Sequence, residues 1–229
     1  MKKILLTFLL VLLFSAGMEA QRRNGLISRR GNSNGSLVLS IGPNYSFADP
    51  DCSKGFFGPM LNQSLLSNYD ISIGFRQTFS NDIGYKASIS YDNFTGEDIK
   101  NPRGYSFVTS AYQFNVQGEY SYNWGKRYGR STPNALYGFL GLGALYSIAD
   151  LKYSSYNGSY IHKPKHLSPV IPYGFGYQYN FNTNYYIGAE LKMVYTFSDY
   201  IDGFMPPTPQ SNSNDIINGF SITLAYRIF

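Results

Sequence analysis

The two histidines of the chain stand four positions apart in His162-Lys163-Pro164-Lys165-His166, the spacing at which a helix offers two imidazoles to one metal ion. Pro164 disfavours that helix and the flanking lysines repel a cation, so the stretch reads as a solvated loop. His166 and Ser168 supply the base and hydroxyl of acyl transfer, yet nothing in the sequence sets a carboxylate beside them to orient the imidazole. Gly138, Gly141 and Gly143 imitate a dinucleotide fingerprint without the helix that must follow it, and read as strand glycines. Asp199, Asp202 and Asp215 are too dispersed through a proline-rich loop to specify calcium. Cys52 is the single cysteine, placed in a loop, so no internal disulfide is expected. No catalytic residue, metal or cofactor is called for.

The elements that would carry these side chains are strands. From Tyr185 to Ser198, Tyr185, Ile187, Ala189, Leu191, Met193, Tyr195 and Phe197 alternate with Tyr186, Gly188, Glu190, Lys192, Val194, Thr196 and Ser198, a period of two. One face is apolar and the other carries Glu190 and Lys192. Charges opposite so long an apolar face need an enclosed, wet partner, which is the pattern of a transmembrane β-barrel.

Lys2 and Lys3, an apolar run from Ile4 to Phe14 and small residues before Gln21 read as a signal peptide over residues 1–20. Residues 21–35, with Arg22, Arg23, Arg29 and Arg30 among Asn, Gly and Ser, read as a flexible basic lead-in. No later run is long and apolar enough for a membrane helix, so insertion into a bilayer would be by strands. Tyrosine (22) and phenylalanine (17) are abundant, as aromatic girdles require. The formal charge of +5, part of it on Lys2 and Lys3, gives no support to nucleic-acid binding.

The alternation recurs from Leu37, Tyr69, Ile83, Tyr112, Leu136, Ile171, Tyr185 and Phe220. The prediction is an all-β, eight-stranded antiparallel up-and-down barrel over residues 36–229. Its first, third, fifth and seventh connections read as long, including a loop over 149–168, while the second and sixth are tight. Such parity matches outer loops alternating with periplasmic turns. The strand Leu136 to Ile148 is apolar on both sides, which leaves its facing open. The polar faces collect Asp70, Arg76, Lys86, Asp92, Glu119, Glu190, Lys192 and Arg227 as bore residues, four of each sign. A barrel of this size is filled by its own side chains, so a neutral plug of ion pairs is expected in place of a solute pore.

Pro172-Tyr173-Gly174-Phe175-Gly176, Tyr185-Tyr186-Ile187-Gly188-Ala189-Glu190-Leu191 and Thr196-Phe197-Ser198-Asp199-Tyr200-Ile201-Asp202 resemble the PorG family of Bacteroidetes outer-membrane proteins. The likeness continues more loosely over Tyr112 to Tyr122 and the glycine strand after Tyr137. It implies a non-enzymatic component of the type IX secretion system that holds the periplasmic PorK and PorN ring against the outer membrane. On that reading Arg22, Arg23, Arg29 and Arg30, with Lys126, Arg127 and Arg130 of a periplasmic connection, are the expected ring contacts, and outer-membrane lipids surround the barrel. The alternatives are an adhesin or general envelope barrel, working through loop aromatics such as Phe56 and Phe57, and a lipid A-modifying enzyme using His166 and Ser168.

Overall fold

β-Branched and aromatic residues at every second position favour pleated strands, whose two faces then meet different surroundings. A computed structural model describes residues 34–47, 68–79, 82–97, 105–123, 134–155, 158–181, 184–198, 201 and 215–228. Every regular element in these residues is a strand: β1 (Asn34–Phe47), β2 (Tyr69–Thr78), β3 (Ile83–Glu97), β4 (Tyr105–Asn123), β5 (Asn134–Ser155), β6 (Gly158–His162), β7 (Lys165–Asn180), β8 (Tyr185–Thr196) and β9 (Ile216–Arg227). Neighbours in sequence pair antiparallel, except that β6 and β7 both pair with β5, and β1 pairs with β9 to close the ring. Leu151 opposes His162 and Ile148 opposes Lys165 in one unbroken register. Pro164, lacking an N–H, only interrupts the ladder, and its carbonyl still accepts from the Ala149 amide at 3.1 Å. β6 and β7 are therefore one barrel strand, and the barrel is a closed, eight-stranded, up-and-down cylinder.

The outer wall is apolar along its whole middle: Leu39, Ile73, Phe114, Leu140, Leu142, Phe175, Ile187 and Leu224 are all exposed. So broad an apolar surface is not one that water tolerates; it is suited to acyl chains. Two aromatic belts bound it. Near the chain termini Tyr185 stacks with Phe181 and packs on Tyr226, with centroids 6.1 and 5.0 Å apart. At the far end Tyr91 lies between Tyr69 (6.0 Å) and Tyr112 (5.3 Å). Along β4, Tyr112 and Tyr122 are both exposed, and ten residues at about 3.3 Å rise and a tilt of about 40° span roughly 25 Å, the height of an outer-membrane apolar band.

The structure moves several expected boundaries. β1 opens at Asn34, inside the segment read as a basic lead-in. β4 starts at Tyr105 rather than Tyr112. The expected loop over 149–168 is mostly strand, the end of β5 hairpinned onto β6 and β7. Strands β3 to β7 thus rise past the far aromatic belt as a wall. Their inward residues stay buried there, Phe94, Phe107, Thr109 and Ala149 among them, but polar and apolar types mix on both faces, so the alternation of residue type fades while backbone pairing continues. The glycine strand also acquires a facing. Ala135, Tyr137, Phe139 and Leu145 point into the bore, and Leu136, Leu140 and Leu142 point out. Cys52, Phe56, Phe57, Asp199, Asp202, the signal peptide and the basic residues Arg22, Arg23, Arg29, Arg30, Lys126, Arg127 and Arg130 lie outside the described residues.

Candidate functional site: the charged bore and its plug

Register places the inward charges in layers. Arg76 on β2 opposes Lys86 on β3, and Gly84 beside Lys86 opposes Glu119 on β4. Large rings on β5 have room beside them because glycines face them from β7: Tyr137 opposes Gly176 and Phe139 opposes Gly174. A Cβ on Gly176 would collide with the Tyr137 ring, so the glycine lets Tyr137 lie across the bore.

The first layer is a five-residue knot. Arg76 Nε lies 2.7 Å from Glu119 Oε2, and its Nη2 donates to Glu119 Oε1 at 3.0 Å. Lys86 Nζ donates to both oxygens of Glu190, at 3.1 and 2.8 Å. The Tyr137 hydroxyl donates to Glu190 Oε2 at 2.9 Å, and the Arg76 guanidinium sits 4.6 Å from the centre of the Tyr137 ring. Arg76 also donates to Gln178 Oε1 and Tyr186 Oη, both at 3.3 Å.

A second layer lies farther from the termini. Lys192 on β8 is ion-paired with Asp70 on β2 and stands 3.8 Å from Asp92 on β3. Asp92 in turn accepts from Asn44 Nδ2 at 2.9 Å and from the Ser90 hydroxyl at 3.0 Å. These seven charged residues are between 0% and 8% exposed. Buried charges this close to partners are stable only as a matched set, because removing one strands another in a dry interior. Arg227, the eighth predicted bore residue, is half-buried at the terminal mouth and donates to Asn180 Oδ1 at 3.3 Å.

Beyond the second layer the bore turns apolar. Phe94, Phe107, Ala111, Leu145, Val170, Val194 and Ile217 form one buried cluster with Ile201, which enters from the connection after β8. Ile201 is held at both backbone groups, its amide donating to Asp215 Oδ2 at 3.1 Å and its carbonyl accepting from the Thr109 hydroxyl at 2.9 Å. The cylinder is therefore filled twice, by ion pairs in one part and by packed hydrocarbon in the other.

Neither a family model nor a curated protein matches this chain. Solved structures do. A major outer membrane protein from Thermus thermophilus aligns with a TM-score of 0.53 at 9% identity, over 86% of this chain and 100% of that one. Ail of Yersinia pestis aligns at 0.48 and 15% identity, over 86% and 99%, and Neisserial surface protein A at 0.47 and 11%, over 85% and 97%. At these identities what is shared is the fold, that of small outer-membrane barrels.

The residues considered for chemistry fall elsewhere. His166 and Ser168 are on β7, not in a loop, two residues apart on the inward-facing file at the far end. The Ser168 hydroxyl is spent on its neighbour, donating to the Pro169 carbonyl at 3.0 Å. Asp215 carries the Ile201 amide, and among the described residues no cluster of three metal-binding side chains occurs. Gly138 faces outward at the floor of a groove of about 580 Å³ on the lipid-facing wall, with Ile83, Gly118, Tyr120 and Leu140. Sequence reasoning missed the neutral half of the network: Asn44, Tyr137, Gln178 and Tyr186. Each stands on the inward phase of its strand, so alternation alone points to Asn44, Gln178 and Tyr186. Tyr137 needed the facing of β5, which alternation leaves open.

Proposed function

We propose that this chain is a non-enzymatic outer-membrane component of the type IX secretion system, exported by its N-terminal signal peptide and anchoring the PorK and PorN ring from the periplasmic side. The single observation behind this reading is the doubly filled bore. A cylinder packed with ion pairs and then with hydrocarbon passes no solute or polypeptide, so the work is done on its surfaces. An anchor needs a rigid membrane-embedded body and a partner-facing end, and no conduit. The resemblance of β7, β8 and the exit from β8 to the PorG family supplies the partner. Arg22, Arg23, Arg29, Arg30, Lys126, Arg127 and Arg130 are then the cations offered to it, with both chain termini periplasmic as in outer-membrane barrels.

The test is co-purification of the detergent-solubilised protein from cells that make it. Ring and lipoprotein partners should accompany the wild-type chain, and charge reversal at Lys126, Arg127 and Arg130 should reduce their recovery. Recovery of the barrel alone would remove the assignment. A second reading, an adhesin or envelope barrel, is favoured by the wall of β3 to β7 at the far end, and intact secretion of exported proteinases in a deletion strain would prefer it.

A further inference from the structure

The wall above the far aromatic belt has one face that continues the lipid-facing surface of the barrel. Residues directly opposed across antiparallel strands share a face, and here the opposed pairs run upward in order. Tyr112 stands across from Tyr146, and Tyr146 across from Leu167. Two residues higher, Ser110 stands across from Ile148 and Ile148 across from Lys165. Above these come Asp150 and Lys163, paired at 3.0 Å, and then Lys152. The outer surface therefore passes from Leu142 (71% exposed), through a row of Tyr112, Tyr146 and Leu167 (67%), to three exposed lysines within about one strand-width of β5. Lys163 has Asp150. Among the described residues no carboxylate pairs with Lys152 or Lys165.

Charge placed at the height where hydrocarbon ends meets head groups, not bulk water, and a cation there is complementary to a phosphate. We propose that Lys152, Lys163 and Lys165 form a ledge that holds the phosphorylated head group of a glycolipid in the outer leaflet, while its acyl chains lie against Leu142, Tyr146 and Leu167. Three features separate this ledge from scattered surface lysines. The cations share one face of one hairpin, that face is continuous with the apolar wall below it, and Tyr91, Tyr112 and Tyr146 mark the boundary directly beneath. The inference rests only on the barrel spanning the outer membrane with its termini inside. It is independent of the secretion role.

The experiment uses the full-length folded barrel in a neutral detergent, probed by native mass spectrometry with bisphosphorylated lipid A and with the same lipid after phosphate removal. A cation near an anionic surface contributes about fivefold in affinity, so K152Q/K165Q should weaken binding of the phosphorylated lipid by roughly 20-fold. The dephosphorylated lipid should bind weakly to both proteins. R227Q, at the terminal mouth, should leave binding unchanged. Equal binding by K152Q/K165Q, equal binding of the dephosphorylated lipid, or an equal loss in R227Q would each overturn the proposal. A second measurement needs no variant: phosphorylated lipid should protect Lys152 and Lys165 of the wild-type chain from acetylation, and equal labelling with and without the lipid would reject the ledge.

Discussion

The two parts of the bore are closed by opposite chemistry. Toward the termini, the cations Arg76, Lys86 and Lys192 stand among the carboxylates Glu119, Glu190, Asp70 and Asp92; toward the far end, Phe94, Phe107, Leu145, Val194 and Ile217 pack around Ile201. The charged part is matched by partners, so its sensitivity lies in pairing. The apolar part is matched by volume, so its sensitivity lies in lost methylenes. A single closed cylinder thus contains two seals of different chemistry.

That contrast has measurable consequences for unfolding of the barrel in phospholipid vesicles, followed by urea titration and gel mobility. The largest loss is expected for Glu190→Ala, which strands Lys86 and removes the acceptor of the Tyr137 hydroxyl, at about 3–5 kcal/mol. A loss below about 1 kcal/mol would mean that water already solvates this layer. Leu145→Ala, in the apolar plug and fully buried, should cost about 2–4 kcal/mol through its cavity. If the two seals are independent, Glu190→Ala and Leu145→Ala together should lose the sum of the single effects within about 0.5 kcal/mol; a large interaction energy would merge them. The smallest effect is a gain. Asn218 stands on the outward file of β9 with its amide buried and unpartnered, so Asn218→Leu should stabilise by about 1 kcal/mol. Destabilisation there would show that Asn218 finds a polar partner in the membrane.

How far each region could be read from the sequence follows the same division. The charged layers were legible, because Glu190 and Lys192 break an otherwise apolar alternation and so reveal which face is inside. The plug was not. Phe94, Val194 and Ile217 are inward apolar residues, and beside lipid-facing ones such as Ile222 and Leu224 they look only like a blurred period. On β5 the blur is complete, since Tyr137, Phe139 and Leu145 fill the bore while Leu136, Leu140 and Leu142 meet lipid. Ile201 gave no signal, being one aliphatic residue in a connection. The wall of β5 and β6 was read as a loop because Lys152, Lys163, Pro164 and Lys165 carry no alternation, although hydrogen bonding to a neighbouring strand persists there.

The ion pairs join residues that are distant along the chain: Lys192 and Asp70 are 122 residues apart, Glu190 and Lys86 are 104. None of these contacts can exist in a partly zipped sheet, whose first and last strands have yet to meet. Until that seam shuts, Lys192, Asp70, Glu190 and Lys86 lack these partners. Arg76 and Glu119, 43 residues apart on β2 and β4, can pair earlier; the pairs to β8 come only with closure, a latch that makes the ring hard to reopen.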